Sequence, residues 1–200
     1  MKWSQPPDYL GLDLISNHPS EITRADDFIC NDPAPIVAVR WWGSYIGETT
    51  PRDEQSGFWK SMDISFHLSD GNDHPLSLPV NPYLSLQTVL AQETFWGEDA
   101  QGELVYEYNA SLPQPFYQEL GVEYFIDIDD PLEGNWGWHT AESQNLDYSA
   151  SQSPNHIGPW AHDPDAYVDL AFELMVPEPA TIALLGLGAL SLIRSRKRKT

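Results

Sequence analysis

The sequence predicts an all-β fold, a β-sandwich of the jelly-roll type, followed by a single C-terminal hydrophobic helix. Short apolar segments alternate with period two, and loops rich in Pro, Gly and Asp separate them, which is typical of sandwiches. The chain of 200 residues also contains eight Trp, nine Tyr and seven Phe. Side chains of this kind favour strands and are numerous enough to build a core. The acidic composition therefore does not predict disorder over most of the chain.

Three regions follow one another along the chain. Residues 1–24 are rich in Pro and are predicted to be an irregular lead-in, residues 25–175 form the sandwich domain, and residues 176–200 are a tail. Alternation predicts strands at 36–45, 62–68, 104–108, 122–128, 134–140 and 167–175. The apolar residues of 83–95 fit a short helix or a strand about equally well.

The connections and the single cysteine complete the domain. Asp70-Gly71-Asn72-Asp73 has the composition of a plain turn. The stretch 149–165, rich in Ser, Pro, Asn and His, is predicted to be a long loop. Cys30 alternates with Phe28 on one strand face, so we predict a buried, unreactive thiol.

Charge divides the chain into two parts. Ten Lys and Arg face thirty Asp and Glu, and the formal net charge is −20. Five of the basic residues lie within the last seven positions, so residues 1–175 carry an even more negative charge. A surface of this sign repels phosphate backbones, and nucleic acid is therefore excluded as a partner.

The tail combines a hydrophobic segment with a basic end. Residues 180–193 carry no charge, and as a helix they would span about 21 Å, which is short for a bilayer core of roughly 30 Å. We predict a short transmembrane segment that stops at a basic cluster on the cytoplasmic side, consisting of Arg194, Arg196, Lys197, Arg198 and Lys199. A buried core helix is the alternative, but such a helix does not end in a basic run.

The tail resembles a known sorting signal. Val-Pro-Glu-Pro-Ala-Thr, the hydrophobic stretch and the Arg-rich end, together residues 176–199, resemble the PEP-CTERM motif. The resemblance implies that an exosortase, a membrane transpeptidase-like enzyme, recognises Pro177, Glu178 and Pro179, which catalyse nothing themselves. Such proteins are typical of Gram-negative bacteria that make exopolysaccharide and biofilm matrix. Residues 1–8 have no apolar region of a signal peptide, so we expect an export segment upstream.

The body is similar, more loosely, to an uncharacterised domain of exported PEP-CTERM proteins. The similarity lies in residues 2–7, 25–28, 41–45, 64–67, 136–140 and 170–174. It implies one domain and no particular chemistry.

Two kinds of binding site are predicted in the body. Asp127, Asp129 and Asp130 end a strand, and their carboxylates would suit Ca²⁺, although a solvated face before Pro131 is the alternative. Aromatic platforms for sugars are predicted at Trp136 and Trp138, which share one strand face, and at Trp96. Core packing is the alternative for these indoles. No other cofactor is expected.

No catalytic signature is present in the sequence, and we predict that the protein is not an enzyme. The six histidines are scattered without the spacing of a zinc site. The expected function is a structural or adhesive role in an exported protein, anchored in the membrane before processing and then located at the cell surface or outside the cell. A carbohydrate-binding module for exopolysaccharide and an extracellular polysaccharide hydrolase are the alternatives.

Overall fold

A computed structural model describes residues 1–17, 22–50, 58–80, 86–132, 134–142, 151–154, 156–162 and 168–177. Every regular element assigned in these ranges is a strand, which confirms the predicted all-β class. Within the same ranges, no helix is long and apolar enough to cross a bilayer. The hydrophobic helix predicted at 180–193 lies outside the described residues.

Twelve strands are assigned within the described ranges. They are β1 (Trp3–Gln5), β2 (Asp13–Ile15), β3 (Thr23–Ile29), β4 (Ile36–Tyr45), β5 (Phe58–Leu68), β6 (Gln87–Glu98), β7 (Leu104–Phe116), β8 (Glu123–Asp129), β9 (Trp136–His139), β10 (Ser151–Ser153), β11 (Ala161–His162) and β12 (Phe172–Met175). Their alternating side chains place one face of each long strand in the core.

The strands form one continuous curled sheet, not the two separate sheets of the predicted sandwich. The order is β1-β12-β4-β7-β6-β5-β8-β3-β10-β11, all antiparallel, and β9 pairs with both β2 and β4. Bulges interrupt the register at Ile36/Ala38 and at Phe95/Gly97. Bulges bend strands and increase twist, so the ladder curls into a half-barrel without breaking.

Aromatic side chains fill the space inside the curl. The ring centroids of Trp3 on β1 and Phe28 on β3 are 6.5 Å apart, although these strands lie far apart in the strand order. Phe66 and Phe116 stack with centroids 4.1 Å apart, and Trp41 stacks on Tyr108 at 5.5 Å. The main hydrophobic core therefore joins β1 and β3 across the curl.

Several segments differ from the sequence-based expectation. The predicted irregular lead-in contributes β1 and β2, because backbone pairing with β12 and β9 orders it. The ambiguous segment around residues 83–95 is strand from Gln87 onward. The predicted long loop contains β10 and β11, of which β10 pairs with β3.

Two local predictions are confirmed. Cys30 is buried. Asp70 forms the predicted turn, since its Oδ1 accepts hydrogen bonds from the backbone N–H groups of Asn72 at 2.7 Å and His74 at 3.3 Å. These backbone hydrogen bonds lower the pKa of Asp70, and Gly71 has the positive φ of 81° that the turn requires.

Candidate functional sites

A groove crosses the outer face of the sheet, the face turned away from the core. It has a volume of about 720 Å³. Its lining comes from neighbouring strands and consists of Ala38, Val39, Trp59, Thr88, Val89, Leu90, Gln92, Asn109, Ala110, Ser111, Pro113 and Met175. Trp59 and Leu90 are each 65% exposed. An apolar surface of this size next to polar groups is typical of a binding surface.

Strand register aligns the polar groups in the groove. Trp59 on β5 lies opposite Gln92 on β6, Gln92 lies opposite Asn109 on β7, and Asn109 lies opposite Arg40 on β4. Arg40 donates to Asn109 Oδ1 at 2.9 Å and forms an ion pair with Glu173 at 3.0 Å. The guanidinium is therefore fixed, and it orients the Asn109 amide at one end of the row.

The three tryptophans predicted as sugar platforms occupy different environments. Trp136 and Trp138 share one face of β9, as predicted, but that face is the core and both side chains are completely buried. The indole N–H of Trp138 donates to the Ala171 carbonyl at 2.9 Å. The predicted stacking strip at Trp136 and Trp138 is therefore wrong, and core packing is the correct interpretation. Trp96 is 42% exposed, but it is not part of the groove lining.

A buried polar network lies beneath β10 and its following loop. Asp127 Oδ2 accepts hydrogen bonds from Ser65 Oγ and from His67 Nε2, the latter at 2.7 Å. Asp127 Oδ1 accepts from His156 Nδ1 at 2.7 Å. His67 Nδ1 donates to the Leu76 carbonyl at 2.9 Å, so both ring nitrogens of His67 act as donors.

This network differs from a nucleophilic triad. In a triad the carboxylate and the hydroxyl contact opposite nitrogens of one imidazole. Here Ser65 and Asp127 both contact Nε2 of His67, and all three side chains are completely buried. The arrangement joins β5 to β8 beneath the covering segment, and it therefore acts as a structural ion-pair network.

Electrostatics in the network favour the charged forms of Asp127 and His156. Burial alone would raise the pKa of Asp127, but the charge and hydrogen bond of His156, together with those of His67, hold it well below its usual range. Burial alone would lower the pKa of His156, but the charges and hydrogen bonds of Asp127 and Asp129 raise it to about 11. Burial is also the main cause that raises the pKa of Asp129.

The predicted calcium ligands already have cationic partners. Asp127 contacts His67 and His156, and Asp129 Oδ1 lies 3.3 Å from His156 Nε2. Asp130 forms an ion pair with Lys60 at 2.8 Å. Histidine or lysine nitrogens thus already contact all three aspartates, which argues against calcium there.

A second cluster of titratable groups forms where the N-terminal segment meets the β6–β7 turn. Asp13 on β2 lies opposite His139 on β9, and its Oδ1 accepts from His139 Nδ1 at 3.0 Å. His139 Nε2 donates to the Asp8 carbonyl at 2.9 Å. Asp99 Oδ1 accepts from the backbone N–H of Glu103 at 2.9 Å and thereby holds the turn.

The protonation of this cluster follows from its contacts. Burial alone would lower the pKa of His139, but its hydrogen bond and attraction to Asp13 raise it. Burial, a hydrogen bond with Asp13 and repulsion from Asp13 and Asp99 raise the pKa of Glu103 to about 7. With Asp8 and Asp13 as acceptors, both nitrogens of His139 carry protons, and the ring is an imidazolium that positions Asp13.

The sorting motif begins where the domain ends. β12 ends at Met175, which lines the groove, and Pro177 is exposed two residues later. The remaining motif residues Glu178 and Pro179, and the basic end of the tail, lie outside the described residues.

The fold and the tail together define an exported all-β protein with a C-terminal sorting signal. The chain matches the family described as a domain of unknown function (DUF7901) over residues 1–175, and it belongs to that family. Residues 176–199 match the PEP-CTERM protein-sorting motif, which confirms the predicted resemblance. The protein is therefore sorted by an exosortase and directed to the cell surface. None of the proteins of curated function matches the chain.

Sequence reasoning missed the groove and the Asp13–Asp99 cluster. Trp59 follows a stretch without clear alternation, so no pattern singled it out. Asp13, Asp99 and His139 are far apart in the chain, and only the pairing of β2 with β9 and the position of the β6–β7 turn bring them together. The signal available in the sequence was Asp99 followed by Gly102, which is typical of a turn with an acidic first residue.

Proposed function

We propose that this protein is a non-catalytic adhesive protein of the cell surface that binds extracellular polysaccharide in the outer-face groove. The exposed ring of Trp59 beside the Gln92 and Asn109 amides carries the proposal. Trp59 and the equally exposed Leu90 line the same groove, and a contiguous apolar surface of this kind is typical of a binding site.

The chemistry of the groove suits a sugar chain. Aromatic rings stack against the apolar face of a pyranose, while amides and hydroxyls exchange hydrogen bonds with its hydroxyl groups. The lining supplies both kinds of group, with Trp59 and Leu90 beside Gln92, Asn109 and Ser111. Because the body is strongly acidic, a neutral polysaccharide is a better partner than an acidic one.

The composition of the groove also supports binding over hydrolysis. Glycoside hydrolysis needs two carboxyl groups on either side of the scissile bond. Of the described residues that line the groove, none is an Asp, Glu, His or Cys. Amide, hydroxyl and apolar groups can hold a polymer but provide no acid or base.

In this proposal the C-terminal tail determines where the protein is located. Residues 180–193 cross the membrane before processing, and the basic residues after them remain on the cytoplasmic side. The exosortase then acts at Pro177, Glu178 and Pro179. The exposure of Pro177, two residues after the end of β12, supports access of the enzyme to the start of the motif.

Affinity electrophoresis of the full chain in non-ionic detergent tests the groove. The gels contain a neutral β-glucan, a neutral α-glucan, or alginate as the acidic polysaccharide. We expect retardation by a neutral polymer, and at least about a tenfold weaker affinity in Trp59→Ala, as for a central aromatic contact. Trp96→Ala is the matched control, since it removes an exposed indole outside the groove and should bind like the wild type.

Three results would contradict the proposal. Binding that survives Trp59→Ala but is lost in Trp96→Ala would move the site to the other exposed indole. The absence of retardation by all three polymers would leave the groove without a polysaccharide ligand. Release of reducing ends from a bound polymer would favour the hydrolase over the adhesive function.

A further inference from the structure

We propose that Asp13, Asp99 and Glu103 bind one Ca²⁺ ion where the N-terminal strand β2 meets the β6–β7 turn. Two oxygen atoms carry the inference. Asp13 Oδ2 and Asp99 Oδ2 are buried, and neither has a hydrogen-bond partner among the described residues. The Glu103 carboxyl group contacts the carboxylate of Asp13. Leaving a buried carboxylate oxygen without a partner is costly, and a bound cation would remove that cost.

The two aspartates converge on one place. Ligand atoms of Asp13, Asp99 and His139 all lie within 4.8 Å of one another. The Asp13 side chain is completely buried and Asp99 is only 4% exposed. In each aspartate the Oδ1 atom is already held, in Asp13 by His139 and in Asp99 by backbone N–H groups of the turn. The Oδ2 atoms are therefore fixed in position before an ion binds.

The charge of the cluster matches a divalent cation. Three carboxyl groups surround one histidine ring, so acidic groups outnumber basic ones in the cluster. Across the described residues, no Lys or Arg forms an ion pair with Asp13, Asp99 or Glu103. His139 donates from both ring nitrogens, so it cannot be a ligand itself. It is a positioning residue for Asp13.

The donor set favours Ca²⁺ over softer metals. All available ligand atoms are carboxylate oxygens, which bind hard cations, and Ca²⁺ accepts six to eight oxygens including waters. Glu103 is half-buried, so waters can reach its carboxyl group and complete the coordination. Extracellular modules bind Ca²⁺ with dissociation constants of roughly 0.1–1 mM, which suits an exported protein.

Thermal unfolding of the full chain in non-ionic detergent tests the site. The melting temperature is measured in EDTA and in 10 mM CaCl₂, with NaCl added to equal ionic strength and MgCl₂ as a second cation. We expect Ca²⁺ to raise the melting temperature by roughly 3–8 °C, as expected for one site of millimolar or tighter affinity in a chain of this length. The shift with Mg²⁺ is expected to be smaller.

Two isosteric variants locate the ion. Glu103→Gln and Asp99→Asn should lose the calcium shift, while the amide oxygen that Asp99→Asn introduces can still accept the hydrogen bonds that hold the turn. In EDTA, Glu103→Gln should melt at or above the wild-type temperature, because it removes repulsion between carboxylates. Glu98→Gln is the matched control, since it removes an exposed charge from the same hairpin and should keep the full shift.

The outcomes separate the proposal from its rivals. No shift beyond that of NaCl in the wild type would overturn it, as would a shift that persists in both Glu103→Gln and Asp99→Asn. Loss of the shift in Glu98→Gln as well would indicate a general charge effect and would equally overturn it. A shift lost only in Asp127→Asn would place the ion at the β8 aspartates. None of these results bears on polysaccharide binding in the groove.

Discussion

The contact between His156 and Asp127 should make the stability of the protein fall as the pH rises above neutrality. His156 has a pKa of about 11 in the folded state, against about 6.5 in the unfolded chain. Below pH 6.5 both states are protonated and the contribution of the contact is complete. As the pH rises from 6.5 towards 11, the unfolded chain loses the proton first, and the contribution is lost.

The size of this effect follows from linkage. One proton more in the folded than in the unfolded state changes the free energy of unfolding by at most about 1.4 kcal/mol per pH unit. From pH 7 to pH 9 the loss is therefore about 1–3 kcal/mol, where the lower figure allows for relaxation of the buried pair. Asp127 has the opposite dependence. Its contribution is present above about pH 4 and is lost as the pH falls.

Urea unfolding followed by tryptophan fluorescence measures the effect, in EDTA at pH 6, 7, 8 and 9. His156→Gln should reduce the decline between pH 7 and pH 9, although His139, whose pKa is also raised, retains part of it. At pH 6 the free energy of unfolding of the variant should be about 3 kcal/mol lower than that of the wild type, as expected when a buried ion pair loses one partner. His162→Gln is the matched control, because it removes an exposed imidazole from β11.

Equal slopes in the wild type and in His156→Gln would refute this reasoning. They would mean that the His156–Asp127 contact is not formed as an ion pair in solution. A loss of stability in His162→Gln as large as that in His156→Gln would refute it as well, since the effect would then not depend on burial.

Two further predictions concern packing. Trp138→Ala should lower the free energy of unfolding by about 3–5 kcal/mol, because it empties a fully buried site and removes the hydrogen bond to Ala171, whereas Trp59→Ala should change it by less than about 0.5 kcal/mol. If urea unfolding showed the same loss of free energy in both variants, the assignment of Trp138 to the core and of Trp59 to the surface would be contradicted. Gly43→Ala should lower the free energy of unfolding by about 1–3 kcal/mol, because its Cβ would clash with the Gly137 carbonyl oxygen and separate β4 from β9. A thermal melt identical to that of the wild type would show that the two strands do not approach so closely.

Alternation along the sequence predicted where the strands lie better than it predicted which of their faces is buried. The bounds of β4 agree with the prediction at both ends, because its mostly apolar and aromatic segment begins after Pro35 and ends shortly before the turn residue Gly47. On β9 the alternation correctly placed Trp136 and Trp138 on one face. A period of two indicates which residues share a face, but it cannot tell which face meets the core. That choice depends on the pairing of β9 with β2 and β4.

The candidate sites depend on contacts between distant parts of the chain. Ser65 meets Asp127 because β5 and β8 are neighbours in register, and His156 reaches the same carboxylate from a segment predicted to be a loop. The formation of one curled sheet likewise depends on contacts between distant parts of the chain. Short strands with polar turns are compatible with two sheets or with one curled sheet, and only the bulges and long hairpins decide between them.

The position of Met175 at the end of the domain limits how far the protein can extend from the bilayer before processing. Ala180 follows Met175 by five positions, and a fully extended chain of that length covers at most about 18 Å. If residues 180–193 cross the membrane as proposed, the domain has no stalk, and the groove that Met175 lines must meet its partner within one domain diameter of the lipid headgroups. Polymer strands would then have to approach the envelope closely to be captured, so the protein would act as a short-range attachment point and could not reach far into the surrounding matrix.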